Sequence, residues 1–276
     1  MKNLRVGIAQ ITSIDDVDAN LKMILDLLSA VNPGEVDVVF FPENCLYMRL
    51  KEGESVKGLQ ASDSAFQKIA DWAKHSRCAV HLGSVPLVQG AQLYNASMWI
   101  DAQGQIQPSY TKTHLFDIEL EGQRPIRESD VFAHGSGPRT LNVGEWRLGQ
   151  SICYDVRFSE LFHAYAEEGV EVILVPSAFL VKTGQAHWEI LLRARAIESQ
   201  CYIIASAQSG QHRSPRGQRE TYGHSLIVDP WGQKILEILD SPKLQIAELA
   251  LREIQKVRQQ IPMKNHRRGP FRASRP

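Results

Sequence analysis

The 276-residue chain is 43% hydrophobic and carries 31 basic and 31 acidic side chains, enough apolar material for one large α/β domain or two small ones, but no net positive field to gather nucleic acid or an anionic membrane surface. It has no apolar run of about 18 residues to span a bilayer, and its first residues, MKNLRVGIAQITS, lack the parts of a secretory signal. Its four cysteines, Cys45, Cys78, Cys153 and Cys201, form no C-x-x-C pair, which predicts free thiols in a reducing, cytoplasmic setting on a mature chain that begins at Met1.

LRVGIAQI (4–11) reads as a first strand, followed by a helix whose stripe is Val17, Leu21, Ile24, Leu28 and Val31, ending near Pro33-Gly34. VDVVFFP (36–42) is nearly apolar on both faces and predicts a buried strand. Ser62 is placed to cap a second helix carrying Phe66, Ile69, Ala70 and Ala73, and CAVHLGSVPL (78–87) returns as a strand. Two alternating runs around Ala102-Gln103-Gly104 then predict an antiparallel hairpin over 93–110, so the sheet is mixed. The second half has a similar grammar. WRLGQSIC (146–153) leads into a helix with Phe158, Leu161, Phe162, Tyr165 and Ala166 on one stripe, closed by Gly169. VEVILVPSA (170–178) is a strand, AHWEILLRARAIESQ (186–200) a helix and CYIIASAQ (201–208) a strand. SLIVDPWGQKILEIL (225–239) is a hairpin turning at Pro230-Trp231-Gly232. No linker separates the halves, so the expectation is a single α/β domain over 1–261, two sheets packed face to face under outer helices. The polar, proline-broken 262–276 is a tail.

Glu43, Lys112 and Cys153 each fall just past the C-terminal end of a predicted strand, the edge at which α/β sheets collect their sites. Cys153 occupies a strand-to-helix turn, which exposes its sulfur and brings backbone N–H groups toward a thiolate or an oxyanion. Glu43 interrupts an apolar run, where burial raises a carboxylate's hold on its proton and suits it to general-base work. Taken singly, Cys153 also reads as a small buried hydrophobe, Glu43 as a loop glutamate and Lys112 as an exposed lysine. Cys78 and Cys201 open apolar strands and read as core; Cys45, beside Glu43, is placed to line a pocket without reacting. Together the trio suits amide hydrolysis. A thiolate attacks the carbonyl and an ammonium steadies the oxyanion. The carboxylate moves the proton from thiol to leaving amine and then activates water against the thioester.

At these residues the sequence resembles the nitrilase, or carbon-nitrogen hydrolase, superfamily, in the motifs FFPENCL around Glu43, YTKTHLFD around Lys112 and SICYDVRFSEL around Cys153. Supporting similarity runs from LRVGIAQ at residue 4 to HRR at 266–268. The resemblance implies a four-layer α-β-β-α sandwich of two mixed sheets, association into homodimers or larger homo-oligomers through helices, and no metal or organic cofactor. It also implies that Glu128, in RESDVF, is a second acid beside the triad Glu43, Lys112 and Cys153. Ser159 stands where the family often has Pro, on a first helical turn that favours Pro without requiring it.

Within the superfamily, PSAFLVKTGQAHWEILLRARAIESQCYIIASAQSGQH (176–212) and YGHSLIVDPWG (222–232) are most similar to deaminated glutathione amidases, with the ω-amidase branch next. Lys182 replaces a more usual Pro in that loop, which leaves specificity open. The resemblance implies a small carboxylate-bearing amide as substrate, with neither nucleic acid nor membrane as partner. The expected substrate contacts are Tyr154, Arg157, Ser177, Phe179, Lys182 and Thr183. Arg157, Lys182, His212, Arg213 and Arg216 are loop cations that suit a carboxylate, whereas Arg193 and Arg195 are at helical spacing to pair with Glu189 and Glu198. An ω-amidase, a hydrolase of N-carbamoyl compounds or nitriles, and a catalytically silent binding scaffold are the alternatives.

Overall fold

The computed structural model describes residues 3–51, 53–119 and 125–269. In the first half, β1 (Leu4–Gln10), α1 (Val17–Ser29), β2 (Val38–Phe40), α2 (Ser64–Ser76), β3 (Ala79–Gln89), β4 (Gln92–Ile100) and β5 (Ile106–Thr111) follow the predicted order, hairpin included. Then come β6 (Asp117–Ile118), β7 (Ile126–Arg127), β8 (Thr140–Val143), β9 (Trp146–Gln150), a 3-10 turn at Cys153–Arg157, α3 (Ser159–Glu168), β10 (Val172–Leu174) and α4 (Val181–Ser199). The chain continues with β11 (Tyr202–Ala205), β12 (Ser209–Ser214), β13 (Gly217–Tyr222), β14 (Ser225–Val228), β15 (Lys234–Ile238), β16 (Lys243–Leu249), α5 (Leu251–Gln260) and α6 (Met263–His266). One six-stranded sheet has the order β16-β1-β2-β3-β4-β5, the other β15-β14-β11-β10-β9-β8. Pairing is parallel among β1, β2 and β3 and among β9, β10 and β11, and antiparallel elsewhere in both sheets.

Strand alternation produces the layers. Val6, Ile8, Val38 and Phe40 face inward and share one buried cluster with Leu148, Val172, Leu174 and Ile204 of the other sheet. Their neighbours Ala9, Val39 and Phe41 face outward and pack with Ile24 and Leu28 of α1 and Phe66 and Ile69 of α2. Ile173, Val175 and Ile203 point out on the far side, under Phe162 and Tyr165 of α3 and Trp188 and Leu192 of α4. β2 and β10 are therefore buried on both faces, which is why VVF and VIL read as unbroken apolar runs. The result is the α-β-β-α sandwich expected from the resemblance. Each buried aliphatic or aromatic side chain contributes roughly 1.5–3 kcal/mol of desolvation to it.

Several local expectations give way. α2 starts after Asp63, not Ser62, and the Asp63 carboxylate turns back to accept from the Gln60 N–H at 3.0 Å. α4 begins at Val181, so Lys182-Thr183-Gly184 is a first helical turn, not a loop. Gly184 is tolerated there because the Tyr222 ring takes the space of a side chain: a Cβ would lie 2.3 Å from its Cγ. His212 is a fully buried strand residue, bonded through Nδ1 to the Ser13 carbonyl at 2.6 Å and through Nε2 to the Thr221 hydroxyl at 2.7 Å. Arg213 and Arg216 are exposed. Arg193–Glu189 (3.3 Å) and Arg195–Glu198 (2.8 Å) form as the spacing predicts.

Beyond Ile261 the chain is docked, not loose, through residue 269. α6 sets Lys264 Nζ on the Glu167 carbonyl at 2.6 Å, and Arg267 pairs with the Glu167 carboxylate at 2.7 Å; the last seven residues of the predicted tail lie outside the described residues. No described helix is long and apolar enough to cross a membrane.

Candidate active site

β2, β5 and β9 end at one edge of the sandwich, and the residues just past them, Glu43, Lys112 and Cys153, meet at the floor of a single cleft that encloses about 800 Å³, part of it open to solvent. Glu43 and Lys112 are 3% and 2% exposed, a depth at which neither charge persists without a partner. Lys112 Nζ lies 2.8 Å from Glu43 Oε1 and 2.9 Å from Glu128 Oε2. The Asn95 amide bridges the two carboxylates from below, donating to Glu43 Oε1 at 3.0 Å and Glu128 Oε1 at 2.8 Å. Main-chain N–H groups take the remaining oxygens: Ala178 donates to Glu43 Oε2 at 2.9 Å and Phe116 to Glu128 Oε2 at 2.6 Å. Burial alone would draw the Lys112 ammonium's pKa down, but the charges of Glu128 and Glu43 overcome it and hold the value well above the ordinary 10.5.

Cys153 opens the 3-10 turn with φ of +48°, a left-handed conformation that costs a β-carbon-bearing residue about 1–3 kcal/mol and is typical of functional turns. The turn is held from both ends. The Cys153 N–H donates to the Pro176 carbonyl at 2.9 Å, and the buried Asp155 carboxylate accepts from the Ile152 N–H at 2.9 Å. Asp155 also accepts from the His114 N–H at 2.9 Å and sits 2.7 Å from His114 Nδ1, which ties the Cys153 turn to the loop after Lys112. His114 in turn stacks on Phe158, ring centroids 3.7 Å apart. Burial pushes the Cys153 thiol's pKa well up, and the Glu43 charge pushes it further; the Lys112 charge and the Ala178 N–H oppose both. The balance of these influences favours the protonated form of the sulfur.

Of the expected substrate contacts, Tyr154, Arg157, Phe179 and Thr183 line the cleft. Ser177 and Lys182 are not among its lining residues. The Ser177 side chain is fully buried and bonds the Val175 carbonyl at 3.1 Å, and Lys182 is exposed on α4. Arg157 is stacked over the Tyr154 and Phe179 rings, 5.8 and 5.5 Å from their centroids. Cys45 does not reach the cleft: its thiol, fully buried and with its pKa pushed up to about 12 by desolvation, faces the Ser84 carbonyl at 3.4 Å. Cys78 and Cys201 are core residues, likewise pushed up to about 12 by burial. Sequence reasoning passed over Asn95, Asp155, Arg49 and Arg219, of which the two arginines line the cleft. Asn95 carried a signal, a polar side chain facing inward in an alternating hairpin strand. Asp155 was visible only as part of a motif.

Residues 5–259 match the model of the family described as carbon-nitrogen hydrolase. The chain is 35% identical over 271 residues to a deaminated glutathione amidase from Bos taurus, covering 95% of this chain and 81% of that one. It is 34% identical over 273 residues to a deaminated glutathione amidase from Yersinia enterocolitica, covering 97% and 94%. Among solved structures it superposes on the Caenorhabditis elegans NitFhit protein with a TM-score of 0.85 at 33% identity, over 96% of this chain and 65% of that one. It also superposes on an amidase from Nesterenkonia sp. AN1 that shows Michael addition of acrylamide at the active-site cysteine, with a TM-score of 0.75 at 25% identity over 94% and 98%. A family match along nearly the whole chain, joined to relatives of this identity and coverage, means that the protein belongs to the carbon-nitrogen hydrolase family of the nitrilase superfamily, and is a hydrolase of carbon–nitrogen bonds.

Proposed function

We propose that the enzyme cleaves a small carboxylate-bearing amide through a thioester on Cys153, and that its substrate is deaminated glutathione, split to α-ketoglutarate and cysteinylglycine. The observation that carries the chemistry is the buried array of Glu43, Lys112 and Glu128 that meets Cys153 in one cleft. Glu43 accepts the thiol proton as sulfur attacks the amide carbonyl. Lys112, held cationic by two carboxylates, steadies the oxyanion together with N–H groups of the Cys153–Arg157 turn. Glu43 passes its proton to the departing amine of cysteinylglycine. It then takes one from water, which attacks the acyl-thioester and releases the acid, and returns that proton to the departing Cys153 thiolate. Glu128 positions Lys112 and keeps it charged when Glu43 is transiently neutral. No cofactor enters this scheme.

The substrate assignment rests on the relatives named deaminated glutathione amidase and on a cleft rich in guanidinium groups. We read residues 1–261 as the catalytic domain, 262–276 as a tail, and the enzyme as cytoplasmic and homodimeric. Exposed Ile190 and Ile197 on α4, with Trp231 on the adjoining hairpin, support self-association, and four free thiols support a reducing compartment.

The test compares rates on deaminated glutathione, α-ketoglutaramate, N-carbamoyl-β-alanine and a simple nitrile, for wild type, Cys153→Ala and Cys78→Ala. The expected outcome is a dominant rate on the first, abolished by Cys153→Ala and retained by Cys78→Ala. A dominant rate on α-ketoglutaramate makes the enzyme an ω-amidase, and activity surviving in Cys153→Ala removes the nucleophile assignment.

A further inference from the structure

Among the described residues, the cleft is lined by four cationic side chains, Lys112, Arg49, Arg157 and Arg219, and by two carboxylates, Glu43 and Glu128. Both carboxylates are engaged by Lys112, and the three guanidiniums line the cleft apart from that array. Guanidiniums suit carboxylates through paired N–H donors, and three exceed the need of one carboxylate.

The three arginines fall into two groups by where the fold puts them. Arg157 closes the nucleophile turn and rests on the Tyr154 and Phe179 rings, with Nη1 3.3 Å from His187 Nδ1. It belongs to the wall that carries Cys153. Arg49 and Arg219 come from two other segments that pack on each other. In β13, Gly217, Arg219 and Thr221 are the more buried positions, and Gln218 and Glu220 between them are exposed. Gly217 abuts the other segment, where a Cβ would meet the Leu50 backbone at 3.3 Å and Lys51 Cβ at 3.2 Å. Thr221, at the other end of that row, is fixed by the buried His212. Arg219 therefore projects between these anchors, on the same side of β13 as the segment that carries Arg49. Its companions on the lining there are Tyr47 and Val56. Each guanidinium has five donors, enough to keep contacts within the protein and still present N–H groups to a ligand.

A substrate with carboxylates at both ends fits this division. In an α-ketoglutaryl dipeptide one carboxylate lies on the acyl half and stays on the enzyme after the first step. The other ends the amine half and leaves with it. Resting on the amidase reading above, we propose that Arg49 and Arg219 form the subsite for the carboxylate of the departing amine, so that the enzyme selects amides of an acidic peptide over primary amides. A leaving group without that carboxylate makes no use of the pair.

The experiment measures kcat/KM for wild type, Arg49→Ala, Arg219→Ala and the double variant on three compounds: α-ketoglutaryl-cysteinylglycine, the same compound amidated at its glycine, and α-ketoglutaramate. The expected result is a fall of about 10–100-fold per arginine in the ratio of the acid peptide's kcat/KM to that of its amidated form. The loss should lie in KM, with partial recovery in Arg49→Lys and Arg219→Lys. A ratio that does not move, or an equal loss on all three compounds, overturns the assignment and leaves the amidase reading standing. A wild-type enzyme idle on all three removes that reading, and this subsite with it. If turnover of the variants is too slow to compare, calorimetric binding of the acid and amidated peptides in a Cys153→Ala background gives the same ratio, and thermal melts verify that each variant is folded.

Discussion

The Tyr110 hydroxyl donates to Asp155 Oδ2 at 2.8 Å, joining the end of β5 to the Cys153 turn across 45 residues of chain. The same carboxylate accepts from the Ile152 and His114 N–H groups, so one fully buried acid fixes the two segments that deliver Cys153 and Lys112. Removing it strands several buried donors. Asp155→Ala is therefore expected to cost roughly 3 kcal/mol or more of stability, since each stranded donor costs about 1–3 kcal/mol. Asp155→Asn keeps the shape but offers N–H where N–H must be received, and its kcat should drop about 100-fold from misplacement of the sulfur. Tyr110→Phe loses one bond and about 1 kcal/mol. Urea unfolding and steady-state kinetics on the three variants check this ranking; an Asp155→Asn enzyme with native kcat would show that the clamp does not position the nucleophile.

The charges around Cys153 make predictions of opposite sign for its thiol. Burial and the Glu43 charge raise its pKa, and the Lys112 charge lowers it. In Glu43→Gln the thiol should ionise at lower pH than in wild type, and alkylation by iodoacetamide should shift to lower pH. Turnover should nevertheless be lost by about 1,000-fold or more, because the group that accepts and returns the proton in the proposed mechanism is gone. In Lys112→Met the alkylation profile should move to higher pH. Shifts in the same direction in both variants would contradict the arrangement.

Lys112→Met also carries a stability cost of roughly 3–5 kcal/mol, since two buried carboxylates then lose their shared counter-charge and keep the neutral donors Asn95 and the Ala178 and Phe116 N–H groups. The pH window of this contribution follows from the sign of the Lys112 shift. The folded pKa lies above the unfolded 10.5, so the stabilisation is complete below about pH 10 and drains away as the pH climbs through the folded value. Wild type and Lys112→Met should thus differ by a constant amount from pH 7 to pH 9 in denaturant melts. A difference that collapses within that range would place the ammonium's pKa too low for the role given to it.

The layers were legible because strand alternation and helical spacing are local properties: Val38-Val39-Phe40 announces a strand covered on both sides, and Ile24 and Leu28 announce a helix face. The convergence of Glu43, Lys112 and Cys153 was legible because each follows a strand end, where topology leaves little freedom. What escaped depended on contacts distant in sequence. Gly184 reads as a helix breaker until Tyr222 is seen to fill its side-chain space. His212 reads as a loop cation until Ser13 and Thr221 are found on its two nitrogens. Asp155 and Asn95 have no local signal for what they bridge. α5 was passed over although Leu251, Ile254 and Val257 sit three apart, because every other position of it is polar.

Two buried histidines make the fold sensitive to mild acid. Desolvation holds His81, between the sheets beside Phe40, and His212, under β13, at pKa values of about 4 against the ordinary 6.5. The unfolded chain therefore binds protons that the native state refuses once the pH falls below 6.5. Stability should decline from there toward pH 5, with a slope approaching about 2.7 kcal/mol per pH unit for two protons. His81→Leu should remove up to half of that slope. Denaturant melts at pH 7, 6 and 5 measure it, and a flat wild-type profile over this range would mean that neither ring stays neutral when buried.

Gly83 marks a close approach of the chain segments beneath the site. A Cβ there would lie 2.2 Å from the Phe41 carbonyl oxygen, 2.3 Å from Pro176 Cβ and 2.7 Å from the Pro42 carbonyl carbon. Two of these belong to the strand end that presents Glu43, and the third belongs to the residue whose carbonyl receives the Cys153 N–H. None is a flexible side-chain tip, so Gly83→Ala must move the backbone of one or both segments. The shift enters the geometry between carboxylate and sulfur directly, and a displacement near 1 Å costs on the order of 100-fold in rate. Overpacking should add about 1–3 kcal/mol of destabilisation. The loss should therefore appear in kcat even well below the melting temperature, in protein that still elutes as wild type. A folded Gly83→Ala enzyme with wild-type kcat would show that Glu43 and Cys153 keep their mutual placement independently of this contact.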